Sequence, residues 1–309
     1  MGDEAVKSQF NVYAEINCKK PNDLLEFLNK TQWFTNSYTY RGQSDADWPI
    51  TSGIERKLQP FIENNHSLNN YESRQISNLR RIAHHHLDGD QPDEDENIEW
   101  LALLQHYGGK TRLVDFSRSL FIAAYFATRY DGPPAKSAAI WAVHLGKIER
   151  FKMKLFSEFY STERNEKTSE QRDNAIVTEA LGDTDFTPGT VMLSPYRMNK
   201  RLIAQQGEFL FPLNFRKTFM ENISPVFDGD CDTEVKNGTC DFTTPSKRGA
   251  ISEFDSDELV KHFGIIKLIL PPEIHRSIRL MCKHMNITTE SLFPDLEGAI
   301  RNLSHDFYD

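Results

Sequence analysis

The chain has 309 residues, 39% of them apolar, with 21 Phe and 10 Tyr, the composition of a globular protein able to bury a sizeable core. Against 45 Asp and Glu stand only 36 Lys and Arg, and the resulting net charge of −9 excludes broad electrostatic capture of nucleic acid while leaving room for local basic patches. No apolar run reaches membrane-spanning length, MGDEAVKSQF lacks the basic start and apolar stretch of a secretory signal, and Val6 stands where myristoylation wants Ser or Thr, so a cytoplasmic protein is expected.

Residues 1–34 read as a lead-in with one scaffold helix, Pro21 to Lys30, in which Leu24, Leu25, Phe27 and Leu28 share a face. Ser37 to Gln43 alternates as a strand, with Ser37, Thr39 and Arg41 on one side, Tyr38 and Tyr40 on the other, and Gly42 just after Arg41. Tyr71 to Leu87 reads as a helix carrying Arg80 and Arg81; its consecutive His84, His85 and His86 splay around the axis and cannot converge on one metal. Asp88 to Glu99 reads as an acidic, solvent-exposed loop.

The centre of the sequence is WLALLQHYGGKTRLVDFSRSLFIAAYFATR, Trp100 to Arg129. Trp100 to Tyr107 has helical spacing, and Gly108 supplies the left-handed stop of a helix end. Leu120 to Ala127 is apolar almost all round, and its three alanines allow a neighbouring backbone to come close, as in a buried helix. Between them, Asp115 or Ser117 is the expected helix cap, and the first-turn N–H groups with Arg112 and Arg118 are an expected seat for an anion. The plain alternative is a capped helix after a tight turn.

Ser137 to Leu145 reads as a buried strand, and Phe151 to Gly189 as a polar insertion with one helix near Glu170 to Leu181. Leu202 to Leu213 is expected as a strand with Gly207 at a bulge or close backbone approach, and Asp228 to Asp257 as a surface excursion. A strand at Phe263 to Leu270, a helix at Pro272 to His284 and a closing helix at Glu290 to Leu303 complete the chain. Cys18, Cys231, Cys240 and Cys282 lack a metal-ligand rhythm, so reduced thiols are the default and no metal site is expected. Gly109-Lys110-Thr111 imitates the end of a phosphate-binding loop, but the loop's first glycine would fall on Leu104 inside a helix. Neither G-x-G-x-x-G nor H-E-x-x-H occurs, which argues against Rossmann hydride transfer and zinc proteolysis.

What remains is an ordered set: Arg41 at a strand end, Ser117 and Ser119 entering a helix, and Gln206-Gly207-Glu208 entering a strand. The stretches YRGQSDADWPITSGIER, LLQHYGGKTRLVDFSRSLFIAAYFA, KRLIAQQGEFLFP and LFPDLEGAI resemble the successive signatures of the FRG domain family, from about Thr35 to about Leu303. More remotely, the same blocks are similar to the Arg, Ser-Thr-Ser and Gln-or-Glu-x-Glu regions of NAD-dependent ADP-ribosyltransferases. That resemblance implies that Arg41 contacts dinucleotide phosphates, that Ser117 lies near the nicotinamide pocket, that Gln206 contacts the acceptor and that Glu208 is catalytic. The motif here is Ser117-Arg118-Ser119, which leaves open which serine faces the ligand.

The residue types suit that chemistry in their own right. Breaking the nicotinamide–ribose bond builds positive charge on the ribose, so a carboxylate such as Glu208 stabilises the transition state more than the ground state. A planar guanidinium such as Arg41 clamps a diphosphate with paired hydrogen bonds that lysine does not reproduce. Ser117 suits the orienting of the glutamate, while Asp115 and Arg112 can instead pair to fix the elbow.

The expectation is therefore an α+β domain over residues 35–303 with an ADP-ribosyltransferase-like core, two small β-sheets framing a cleft, insertions near 151–189 and 228–257, and a tail at 304–309. Arg41, Ser117, Gln206 and Glu208 form the expected catalytic set; Arg41, Gly42, Gln43, Thr111, Arg112, Asp115, Ser117, Ser119 and Tyr125 form the expected contacts to NAD. The expected activity is transfer of ADP-ribose to an RNA or protein acceptor, as a toxin or phage-defence effector that an antitoxin protein would restrain. The alternatives are a non-catalytic nucleotide- or partner-binding module and a nuclease using His106, Asp115 and Arg112.

Overall fold

The computed structural model describes residues 13–31, 37–62, 70–87, 91–129, 136–159, 168–227 and 245–295. Its strands are β1 (Tyr13–Asn17), β2 (Tyr38–Gln43), β3 (Val114–Ser117), β4 (Ala138–His144), β5 (Thr190–Leu193), β6 (Gly207–Pro212), β7 (Lys247–Gly249) and β8 (Ile265–Leu270). The helices are α1 (Asn22–Lys30), α2 (Gly53–Ile62), α3 (Tyr71–Ala83), α4 (Asn97–His106), α5 (Leu120–Thr128), α6 (Leu145–Phe159), α7 (Ser169–Gly182), α8 (Lys200–Ala204), α9 (Phe219–Phe227), α10 (Ser256–His262), α11 (Pro272–His284) and α12 (Thr289–Leu292). None among the described residues is long and apolar enough to cross a membrane.

The strands form one eight-stranded sheet in the order β5-β6-β3-β2-β4-β8-β1-β7. Two separate sheets were expected, so the single hydrogen-bonded sheet is a correction. Its continuity is nevertheless uneven: β2 pairs with β4 from Tyr38↔His144 to Gln43↔Ala139, and β3 with β6 from Val114↔Leu210 to Ser117↔Gly207, but β2 meets β3 only at Tyr40↔Ser117. Beyond that joint the strands part. The sheet is a three-stranded half and a five-stranded half hinged on one residue pair, and the opening between them is where a ligand can enter.

Three apolar clusters hold the helices to this frame. Leu120, Ala123, Ala124 and Ala127 of α5 pack with Tyr38 and Tyr40 of β2 and with Ile274, Ile278 and Cys282 of α11. Trp100 and Leu101 of α4, Ile76 of α3 and Val177 of α7 pack against Phe209 and Phe211 of β6. Phe219, Ile223 and Phe227 of α9 meet Val114, Phe116, Trp141 and Leu210 from both halves of the sheet.

Several elements differ from the sequence reading. The lead-in is no appendage: β1 runs parallel to both β8 and β7 inside the sheet. The stretch from Phe151 holds two helices, with α6 extending to Phe159 before α7. Residues 202–204 belong to α8, so the strand expected over Leu202 to Leu213 begins only at Gly207. The acidic loop gives way to α4 at Asn97, and Glu99 is buried, its carboxylate accepting from the Tyr196 main-chain N–H at 2.5 Å. Within the expected excursion at 228–257, residues 247–249 form β7 beside β1; residues 228–244, with Cys231 and Cys240, lie outside those described, as do residues 296–309, and the helix expected over Glu290 to Leu303 is, among the described residues, the short α12 that ends at Leu292. Cys18 and Cys282 are free and buried thiols.

Candidate functional site

Where β2 and β3 diverge, a cleft of about 740 Å³ opens, a size that suits a nucleotide. Strand β2 contributes Tyr40, Arg41, Gly42 and Gln43, and strand β3 contributes Asp115, Phe116 and Ser117. Trp48 and Arg56 come from the chain that follows β2, Gln105 and His106 from the end of α4, and Asn199, Arg201 and Gln205 from around α8. Three arginines from three segments thus face one opening in a chain of net charge −9, with Asp115 the one carboxylate among the described lining residues.

Arg41 donates from Nη1 to the Asp115 main-chain oxygen at 2.6 Å, bridging the gap that the diverging strands leave. Its Nε is buried with no hydrogen-bond partner among the described residues, and burial pulls the guanidinium below the ordinary arginine range against the opposing pull of Asp115. An orphaned N–H on a desolvated cation is a donor held ready for an anion. Gly42 lies against α5 so closely that a Cβ there would sit 1.9 Å from the Ala123 carbonyl oxygen. Gln43 accepts from the Trp141 ring N–H at 2.6 Å and donates to the Pro49 oxygen at 3.1 Å, which ties β2, β4 and the following loop together.

On β3 the alternation is decisive. Val114 and Phe116 join the core, Phe116 at the wall of the cleft, whereas Asp115 is exposed in the cleft beside its β6 partner Phe209. The Asp115 carboxylate accepts from Gln105 Nε2 at 2.9 Å, and Gln105 is in turn held by the Thr111 hydroxyl. Thr111 is buried behind the cleft and not part of its lining, so it positions Gln105 and does not meet a ligand.

The expected serines divide their work. Ser117 lines the cleft, but its hydroxyl donates to the Gln205 oxygen at 2.7 Å and accepts from the Ser119 N–H at 3.1 Å; it does not orient Glu208. Ser119 is the cap of α5, accepting from the Ile122 N–H, where Asp115 or Ser117 was expected. Three further expectations are corrected. Arg112 is no anion seat and does not pair with Asp115: it is buried on Glu72 (Nε to Oε2 2.5 Å) and on the oxygens of Leu213 and Ala180, leaving no face for a ligand or a nuclease mechanism. Tyr125 points into the core, its hydroxyl 2.6 Å from that of Thr289. Gln206 is an exposed turn residue at φ +45° outside the cleft.

Glu208 lies at the start of β6 opposite Phe116 and does not line the cleft. It is buried, and its carboxylate is paired with Arg118, whose side chain also reaches the Met192 sulfur. Burial raises its carboxyl above the ordinary range in spite of the Thr39 hydroxyl and Arg118, which both favour the ionised form. Strand β3, with Phe116, stands between Glu208 and Arg41, so the structure brings Arg41, Asp115 and Ser117 together but not Arg41 and Glu208.

Sequence reasoning passed over Trp48, Arg56, Gln105, Asn199 and Gln205 as site residues. Trp48, Arg56, Gln105 and Gln205 lie within the very blocks that carry the family resemblance, so the signal was their position, not a recognisable motif.

No curated protein and no solved structure matches the chain. Residues 36–136 match the family model of the FRG domain; this stretch, from β2 through α5, holds both the Arg41 and the Ser117 blocks and supports the FRG family for the part of the chain that builds most of the cleft.

Proposed function

We propose that the cleft binds a nucleotide diphosphate of the NAD class, with Arg41, Arg56 and Arg201 receiving phosphate and the aromatic lining, Trp48 foremost, receiving a base. The observation that carries this reading is the convergence of three arginines on one nucleotide-sized opening, one of them with a buried, unpartnered Nε, in an otherwise acidic protein. Arginine is the residue type for this task, because its planar fork matches phosphate oxygens two at a time.

A second reading extends the first to chemistry: ADP-ribosyl transfer from NAD to an RNA or protein acceptor, in a cytoplasmic toxin or phage-defence effector that an antitoxin would cover. It is supported by strand adjacency, since Tyr40↔Ser117 and Ser117↔Gly207 align the three motif blocks on neighbouring strands although they lie far apart in the chain. For Glu208 to act, it must leave Arg118 and reach past β3. Binding without turnover is therefore what the geometry supports better.

The test titrates NAD and measures free nicotinamide, with and without total cellular RNA and protein. Saturable binding that Arg41→Ala abolishes is expected. Nicotinamide release that Glu208→Gln abolishes would establish the transfer reading as well, whereas binding without release leaves the first reading alone. Absence of binding overturns both.

A further inference from the structure

The geometry points to Asp115 as the residue that recognises the ribose of the bound nucleotide, accepting hydrogen bonds from its vicinal hydroxyls in the place that the sequence assigns to Glu208. This inference rests on the nucleotide reading above and deepens it.

A phosphorylated ribose presents a phosphate and, one sugar away, a pair of hydroxyls, so a site that reads it needs a cation and an acceptor at neighbouring positions. Arg41 and Asp115 supply that pair, because Arg41 Nη1 is anchored on the main-chain oxygen of Asp115 itself. The Asp115 carboxylate is exposed into the cleft, and among the described residues a hydrogen bond engages one oxygen only: Oδ1 accepts from Gln105 Nε2 at 2.9 Å. An ionised carboxylate has about four acceptor sites on its two oxygens, which leaves capacity for a diol. Gln105 is fixed by Thr111, whose hydroxyl also accepts from the Leu113 N–H, so the carboxylate is held before any ligand arrives. Pre-organisation of that kind is what a specificity contact requires. Glu208 offers the contrast, being buried and tied to Arg118 outside the lining.

The inference is tested by binding alone. ADP-ribose is titrated calorimetrically against the intact chain, and ribose 5-phosphate and 2-deoxyribose 5-phosphate are compared as competitors. A hydrogen bond to a charged group lost on binding costs enough that the deoxy sugar should compete about tenfold or more weakly against the native protein. In Asp115→Asn the two sugars should compete within about twofold of each other, since an amide is a poorer acceptor for the diol. Gln105→Leu, which frees the carboxylate without removing it, should reduce the discrimination only in part.

If ADP-ribose binds and depends on Arg41, yet the native protein does not discriminate, or Asp115→Asn discriminates as well as the native protein, the ribose role is overturned and the nucleotide reading survives. If ADP-ribose does not bind at all, both fall.

Discussion

Gly42 illustrates how a residue can belong to a motif for reasons of space alone. A Cβ at this position would come within 1.9 Å of the Ala123 oxygen and 2.6 Å of the Ala127 nitrogen, so the α5 backbone rests directly on β2 and the small alanines of α5 are the other half of the same fit. The sequence made the alanine side of this contact legible and left its partner unnamed. Gly42→Ala must push α5 away from β2 at the edge of the cleft, with a cost of about 1–3 kcal/mol or more from overpacking. Urea unfolding should show that loss, and a variant as stable as the native protein would mean that α5 does not seat on the strand as described. Arg41 lines the cleft, as its place at a strand end before Gly42 suggested. For Glu208 the sequence does not show that Arg118 takes its carboxylate, or that Phe116 stands between it and Arg41.

At the scale of elements, period and punctuation served well where a segment is apolar on one face. The limits of α11 matched the expected Pro272 to His284, and α4 stops one residue before Tyr107, at a Gly108 with φ +87°. They failed at α8, where five residues of helix precede a turn and the apolar letters of Leu202 and Ile203 could be counted into the following strand. Helix α11 also carries a testable charge effect. His275 is buried, its Nε2 is 2.8 Å from the Leu270 oxygen, and burial lowers its pKa from the ordinary histidine value. The unfolded chain therefore binds more protons than the fold in the window below about pH 6.5, so this group's contribution is complete above that value and is lost as the pH falls through it. Comparing urea midpoints of the native protein and His275→Gln across pH 7.5 to 5.5, values chosen to bracket about pH 6.5, should give the native protein the steeper loss toward acid. Parallel profiles would show that His275 titrates alike in both states.

The whole molecule is governed by its single joint. Its three-stranded and five-stranded halves share α9 on one face, but among the described residues β2 and β3 pair as strands only at Tyr40↔Ser117, and the cleft occupies the gap that results. No local pattern in the sequence encodes that geometry, because it depends on how β2 and β3, separated by the helices α2, α3 and α4, diverge after one pair; this is why a pair of sheets was expected where the structure has one. A ligand that meets Arg41 on β2 and Asp115 on β3 spans the joint, so its binding energy becomes stability of the assembled sheet. At a free ADP-ribose concentration about a hundred times its dissociation constant, linkage adds about 2.7 kcal/mol to the unfolding free energy. Amide exchange at Tyr40 and Ser117 should slow in parallel, since opening of the halves would first require release of the ligand. Arg41→Ala should show neither effect at the same concentration. Stabilisation that is unchanged in that variant, or that appears without protection at the joint, would place the ligand elsewhere and dissolve the connection between the hinge of the sheet and its cleft.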